Sequence, residues 1–398
     1  MVALVSVLLA LAAGLLSIPV TVFFIEVIAS LIPLKDEPSA ALGTSQPVAV
    51  VVPAHDESSG ILPTIHDILP QLARGDRLVV VADNCTDDTA AIASSAGAEV
   101  LARNDLNKIG KGYALAWAID HLRTDPPAFV VFIDADCRIQ SDMIGSLRNI
   151  CGKLRRPIQA RYLMQMAKES PIDHSFAEFA WAIRNWARPL GLKNLGGPTQ
   201  LMGTGMIFPW GLISIAPLAS GHQVEDLKLG LDLAADGKAA HFFPSAACSS
   251  EFPVSAKGTD SQRQRWVGGH IGMIVQTLPG YLWLAIAGLN FELLILALDL
   301  AVPPLSLLGL LIVGMFVLAS LGWLVGLSAA ALMIATANLL AFILAVLVAW
   351  LKFGRDILPA RSLLSTGTLI AQKLKLYSRL LLGKAASDWI RTDRSKLK

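Results

Sequence analysis

Uncharged, mostly apolar residues run without a break from Val2 to Ile25, long enough to cross a bilayer, before Glu26 and then Pro33-Leu34-Lys35. The pattern predicts a transmembrane helix within residues 1–34. No basic segment precedes it and no small-residue cleavage site follows, so it reads as an anchor, and Lys35 on its C-terminal side puts the N-terminus outside. Glu37 to Gln46 is polar and reads as a linker, after which the texture changes to short apolar runs between turn residues. VAVVVPAHDE, RLVVVADN, AEVLAR and AFVVFIDADC predict strands. ILPTIHDILPQL, TDDTAAIASSAG and GKGYALAWAIDHL predict the helices between them. Such alternation implies an α/β, Rossmann-like domain with a mostly parallel sheet, whose ligands gather at the carboxyl ends of the strands.

The second half has a different texture. From Val267 to Leu351 the only acidic residues are Glu292 and Asp299, and no Lys or Arg appears until Lys352. Pro304 to Leu324 and Ala329 to Leu351 predict a transmembrane hairpin, residues 303–352, closed by VGLS. Tyr281 to Val302 sets Glu292 and Asp299 seven apart, on one face of an otherwise apolar helix. That arrangement predicts interfacial helices over 267–302 rather than a further span. Ile370, Leu374, Tyr377 and Leu381, flanked by Lys375 and Arg379, predict an amphipathic helix in a basic tail, residues 353–398.

Composition agrees with membrane spans. Of 398 residues 54% are hydrophobic and only 16% charged. The net charge of +2 is unevenly spread: Lys352 to Lys398 carries 11 Lys and Arg against 3 Asp, a surplus of +8 that leaves residues 1–351 at −6. A basic tail beside apolar helices is drawn to an anionic cytoplasmic leaflet, so membrane lipids are expected partners. The expected location is the inner cell membrane, with several passes and the α/β domain in the cytoplasm. An acidic body argues against nucleic acid as a partner. The four cysteines form no C-x-x-C pair, so neither a zinc site nor a disulfide framework is signalled.

The candidate chemistry lies at the strand ends. Asp134 and Asp136, two apart after a buried strand, point the same way and suit a hard divalent cation, Mg²⁺ or Mn²⁺, shared with phosphate oxygens. Asp83 also follows a strand. Asp87 and Asp88 suit the cap of the next helix, which leaves Asp83 to accept hydrogen bonds from a ligand such as a nucleobase. Lys108 and Lys111 lie among glycines at a helix start, a place that favours phosphate. Glu225 and Asp226 open another helix, where dipole compensation alone would account for them.

Taken in order, Asp83, Lys111, DAD at 134–136, GTG at 203–205, ED at 225–226 and QRQRW at 262–266 resemble the membrane-embedded, inverting family-2 glycosyltransferases of the cellulose, chitin and hyaluronan synthase type, and the ceramide glucosyltransferases. The resemblance spans about Val48 to Trp266. It implies a GT-A catalytic domain over residues 46–266 that takes a nucleotide sugar, a UDP-sugar in such enzymes. By that resemblance Pro53, His55, Glu57 and Asp83 hold the nucleoside. Lys111, Asp134 and Asp136 serve the diphosphate and its metal, Asp226 is the general base with Glu225 beside it, and Gln262, Arg265 and Trp266 form the family's Q-x-x-R-W. Asp56 departs from the Asn common at its position. Developing charge on the leaving diphosphate calls for Arg265 and the metal, and the acceptor hydroxyl calls for a carboxylate base. Trp266 offers a face for a sugar, and Gly203, Thr204 and Gly205 let backbone approach it closely.

The expected acceptor is a lipid-linked or glycan chain. Two alternatives stay open: a processive exopolysaccharide synthase, whose channel export partners or a dimer would complete around Glu292 and Asp299, and an inactive sugar-nucleotide sensor.

Overall fold

The computed structural model describes residues 1–33, 46–167, 173–222 and 224–360. The amphipathic helix expected around Ile370 lies outside them. The apolar N-terminal run forms helix α1 (Val2–Ala29). The α/β region then supplies eight strands, β1 (Val48–Ala54), β2 (Arg77–Asp83), β3 (Glu99–Arg103), β4 (Phe129–Phe132), β5 (Arg138–Ile139), β6 (Ile158–Gln165), β7 (Met206–Pro209) and β8 (His241–Glu251). They make one sheet in the order β3-β2-β1-β4-β7-β6-β8-β5. The helices connecting the first strands are α2 (Ile61–Ile68), α3 (Thr89–Ser95), α4 (Lys111–Leu122) and α5 (Met143–Leu154).

Strand β1 shows why this sequence makes a covered sheet. Val48, Val50 and Val52 face a core that includes Ile61 and Ile65 of α2 and Ile144 and Leu147 of α5. Ala49 and Val51 face Leu115 and Ile119 of α4 on the other side. A strand buried on both faces must be apolar throughout, and each fully buried Val or Ile contributes about 1.5–3 kcal/mol. Strands β3, β2, β1 and β4 run parallel, as their alternation with helices predicts. Beyond β4 the sheet is mixed: β7 pairs antiparallel with β4 and with β6. The parallel strands bring the exits of β1, β2 and β4 to one edge.

The later helices are α6 (Ser175–Ala182), α7 (Arg188–Asn194), α8 (Trp210–Ile213), α9 (Glu225–Ala235), α10 (Ala256–Gly272), α11 (Leu278–Ala287), α12 (Phe291–Leu300), α13 (Leu305–Leu324) and α14 (Ala330–Ala349). A π-helical turn, Ile183–Ala187, joins α6 to α7, and another, Met273–Thr277, joins α10 to α11. Among the described residues four helical stretches are long and apolar enough to cross a membrane: Val2–Ala29, Gly258–Ala287, Leu305–Leu324 and Ala330–Gly354. The second exceeds the three expected from sequence, because the π turn lets α10 and α11 run on as one rod.

Tyr281 to Val302, expected as one amphipathic piece, is broken. The chain turns at Gly288-Leu289-Asn290, with Leu289 at φ 50°, and the Asn290 side chain caps α12 by accepting from Leu293 N at 3.0 Å. The α11–α12 hairpin lays Tyr281, Ala285, Leu293 and Leu296 against Leu227 and Leu231 of α9. Its two carboxylates do share a face, and that face meets the α/β domain. Glu292 pairs with Arg156, and Asp299 pairs with Arg188 at 2.6 Å.

Arg188 also holds Glu26 of α1 at 2.5 Å, so one buried guanidinium ties the first helix, α7 and α12 together. Gly191 makes this approach feasible, since a Cβ there would lie 1.7 Å from the Glu26 carbonyl oxygen.

Candidate active site

The loop after β1 folds over the end of β2. The His55 Nδ1 sits 2.7 Å from the Asp83 carbonyl oxygen, and the Asp56 carboxylate accepts from Thr86 N at 2.6 Å. Asp56 adopts φ 53°, a left-handed conformation that Asn and Asp share more readily than other side chains. That explains how this position accepts Asp. Asp87 accepts from Ser58 N and Thr89 N, each at 3.0 Å, and so takes the capping role expected of it, whereas the Asp88 side chain makes no cap bond.

Asp83 is more constrained than its position in the sequence suggests. The parallel register sets it opposite Arg103 of β3, whose Nη1 lies 2.6 Å from Asp83 Oδ1, with both side chains buried. One carboxylate oxygen is thereby engaged within the protein. The loop residues Pro53, His55 and Glu57 and the Asp83 carboxylate line one end of a cavity of about 860 Å³.

At its other end, Lys111 of α4 bonds to the Asp134 carboxylate and donates to the Gly203 carbonyl oxygen at 2.8 Å. The Asp226 carboxylate converges on the same point, its Oδ2 3.3 Å from where a Cβ on Gly203 would sit. Only a glycine, here at φ 88°, leaves that space. Burial raises the pKa of both α9 carboxylates, and the Asp226 charge raises that of Glu225 further. Glu225 is pushed up to about 7. Lys111 opposes both shifts and is itself held above its usual range by Asp134 and the α9 carboxylates.

The GTG tripeptide divides. Gly203 lines the cavity, whereas Thr204 is fully buried behind it, its Oγ1 accepting from Asp134 N at 3.0 Å. Gly205 packs against Cys248 and Ala160. Of the three residues expected to approach a sugar, Gly203 lines the cavity, while Thr204 and Gly205 fix the loop on which Asp134 and Gly203 are displayed. Lys108 also stands outside the cavity wall, its carbonyl accepting from Arg103 Nη2 at 2.9 Å.

The carboxylates of Asp134 and Asp136 fit a hard divalent cation. Together with Cys137 they offer ligand atoms within 4.8 Å of one another. The Cys137 thiol instead packs under the sheet, 3.0 Å from Ser250 Oγ and 3.3 Å from Thr204 Oγ1, which leaves the two carboxylates as the available ligands.

Helix α10 adds Gln262, Arg265 and Trp266 to the cavity wall. The Trp266 ring lies 4.7 Å from that of Trp181, centroid to centroid. Trp181 and Arg184, which also line the cavity, escaped the sequence reading. The stretch WAIRNWAR, residues 181–188, holds two tryptophans and two arginines, but nothing in that spacing distinguishes it from an ordinary amphipathic helix.

A mixed sheet with paired carboxylates after a parallel strand, beside a glycine-rich loop and a helix-borne acid pair, defines a GT-A transferase. The chain belongs to the glycosyltransferase-like family 2, whose model matches residues 45–269, and it is a glycosyltransferase. Among solved structures it is similar to a mannosyltransferase from Pyrobaculum calidifontis in complex with GDP-Man and Mn²⁺. The two are 18% identical over 86% of this chain and 98% of that one, with a TM-score of 0.55. A glucosyl-3-phosphoglycerate synthase from Mycobacterium tuberculosis, in complex with Mn²⁺, UDP and glucosyl-3-phosphoglycerate, is 22% identical, with 56% of this chain and 80% of that chain covered and a TM-score of 0.36. No curated protein sequence matches the chain.

Proposed function

We propose that the protein is a membrane-bound, inverting glycosyltransferase that moves a sugar from a nucleotide-sugar donor to a lipid-linked or glycan acceptor. The observation that carries the reading is the convergence of Lys111, Asp134 and Asp226 on Gly203 in a cavity whose far end is the β1–β2 exit. In this reading the nucleoside lies against Pro53, His55, Glu57 and Asp83, and the diphosphate reaches Asp134 and Asp136. A Mg²⁺ or Mn²⁺ ion on those two carboxylates would supply neutralising charge for the diphosphate.

Asp226 takes the proton of an acceptor hydroxyl as that oxygen bonds to the anomeric carbon. The bond from the anomeric carbon to the diphosphate breaks, and its electrons leave with the nucleoside diphosphate. Arg265 and Lys111 stabilise the negative charge that develops there. One displacement from the opposite face inverts the anomeric configuration. The raised pKa of Asp226 makes it a stronger base than an exposed carboxylate. Trp266 stacks on the acceptor sugar, and Gln262 sits next to it.

Residues 46–266 form the catalytic domain in this reading, with residues 1–34 and 303–352 in the inner membrane and 267–302 at its interface. The cytoplasmic placement of the domain follows from the basic tail. Discrete transfer is favoured over polymer export because Glu292 and Asp299, the candidates for a polar path, are tied to Arg156 and Arg188. The test is transfer of a labelled sugar, with a panel of nucleotide sugars as donors and membrane lipid extract as acceptor. Short products are expected from the wild type. Asp226→Asn should lower the rate by about 10²–10⁴-fold with donor binding retained. A fully active Asp226→Asn enzyme would refute the assignment of the base.

A further inference from the structure

Beyond the wall formed by Trp181 and Trp266 lies a second, smaller cavity of about 150 Å³. Phe23 of α1, Ala177 and Ala180 of α6, and Leu305 and Leu308 of α13 give it apolar sides, so it opens where two span-length helices meet the catalytic domain. Trp181, Arg184, Arg188, Gln262, Trp266 and His270 line both cavities and form the neck between them.

The lining of the smaller cavity carries charge of one sign, while Asp226 and Asp299 line the larger one and attract Arg184 from that side. Three arginines, Arg184, Arg188 and Arg263, line the smaller cavity, and no Asp or Glu does. Arg188 is already neutralised by Glu26 and Asp299. Arg184 differs: among the described residues its guanidinium makes no hydrogen bond and no ion pair, and the nearest ring is Trp181, 5.8 Å away. Beside it the indole Nε1 of Trp181 is buried without an acceptor. A buried N–H without an acceptor is costly to keep unless a ligand completes it, and the half-buried Arg184 guanidinium beside it has donors open to an anion in the cavity.

We propose that this neck binds the phosphate of a lipid acceptor, with Arg184 as the residue that grips it and the apolar cavity as the seat of the first part of its tail. The inference rests on the glycosyltransferase reading and specifies its acceptor. A planar guanidinium matches phosphate oxygens in a bidentate fashion, and a tail entering from the bilayer passes between α1 and α13 to reach it. Arg184 acts on the Asp226 carboxylate electrostatically, so a phosphate held there leaves the group to be glycosylated beside the base. A neutral lipid would bring no oxygens for a bidentate contact with Arg184, and a bare glycan chain would leave the apolar seat empty.

The test uses the full chain in phosphatidylcholine nanodiscs. Binding of a polyisoprenyl phosphate is measured against the polyisoprenol of the same length and against inorganic phosphate. The phosphate lipid should bind the wild type at least about tenfold more tightly than the alcohol, which is what a charge-assisted hydrogen bond contributes. Arg184→Gln should remove that preference and Arg184→Lys should keep part of it. Leu305→Trp, which fills the apolar seat, should weaken the lipid without affecting inorganic phosphate. Nucleotide binding by each variant reports folding, and should Arg184→Gln fail to fold, Arg184→Lys and Leu305→Trp decide.

Equal affinity for alcohol and phosphate overturns the proposal, as does undiminished phosphate-lipid binding by folded Arg184→Gln or by Leu305→Trp. Inorganic phosphate competing as strongly as the lipid would make this an anion site and not a lipid site. Slow hydrolysis of a nucleotide sugar by the wild type without any lipid tests the transferase reading separately. Hydrolysis without lipid-phosphate preference sinks only this inference, whereas absence of both donor binding and hydrolysis sinks the reading beneath it.

Discussion

Replacing Glu225 with Gln removes a charge that the site holds at a cost. Glu225 begins α9, where the helix dipole favours an acid, yet burial and the neighbouring Asp226 push its pKa from 4.5 up to about 7. Moving a carboxyl by that amount corresponds to about 3 kcal/mol. The sign follows from comparing folded and unfolded chains. Below pH 4.5 the group is neutral in both, and no cost arises. Between 4.5 and about 7 the unfolded chain loses the proton first, so stability falls as pH rises, and above 7 the full cost remains. Gln stays neutral throughout and should leave stability unchanged near pH 4.5 while raising it by about 2–3 kcal/mol at pH 8.

The assay is thermal unfolding of the detergent-solubilised protein with a chelator present, wild type against Glu225→Gln at pH 5 and pH 8. A catalytic domain of this size shifts by about 2–4 °C per kcal/mol, so the variant should melt on the order of 5–10 °C higher at pH 8 with little difference at pH 5. An equal difference at both pH values, or a variant less stable at pH 8, would refute the reasoning.

Other expectations concern the metal and the frame. Asp136→Ala should abolish the Mn²⁺ dependence of donor binding, and calorimetry that finds the dependence intact would count against the metal site. Arg188→Met strands the Glu26 and Asp299 carboxylates and should cost about 3–5 kcal/mol in thermal unfolding. Adding Glu26→Gln and Asp299→Asn should recover most of that loss, because buried ion pairs contribute little beyond replacing one another's solvation. Gly191→Ala drives a Cβ into the Glu26 carbonyl, so its melting temperature should fall by more than the removal of the Arg188 pair accounts for.

What could be read from the chain was whatever repeats locally. The apolar run of β1, the acid pair after β4 and the uncharged stretches of α1, α13 and α14 each carry their meaning within about twenty residues. The sites of Lys111, Asp134, Gly203 and Asp226 were also legible in order, although their convergence depends on a sheet that places β4 beside β7. Contacts formed across long separations were not legible. Nothing near Asp83 announces Arg103, and nothing near Glu26 announces Arg188, 162 residues away. The break at Leu289 was hidden for another reason. Gly288 and Asn290 beside it are a helix stop and a cap, but the apolar positions on either side keep one period, and periodicity cannot separate one amphipathic helix from two short ones that bury the same face.

The buried triad also bears on why one arginine near the acceptor neck remains open. Arg184, on the π turn that joins α6 to α7, and Arg188, the first residue of α7, are one turn apart, and both line the neck. Either guanidinium has the chemistry to hold an anion. The difference lies in the helices around them: α1 and α12 bring Glu26 and Asp299 to Arg188 alone. Helix α1 therefore does more than supply a span-length apolar stretch, because its one carboxylate decides which cation is left for a ligand. Gly191 lets that helix come close enough to do so. An apolar residue in place of Glu26 would leave two open guanidinium groups in the neck and widen the range of anions it accepts. The acidic residue that interrupts the end of the apolar run is, on this argument, part of acceptor selection.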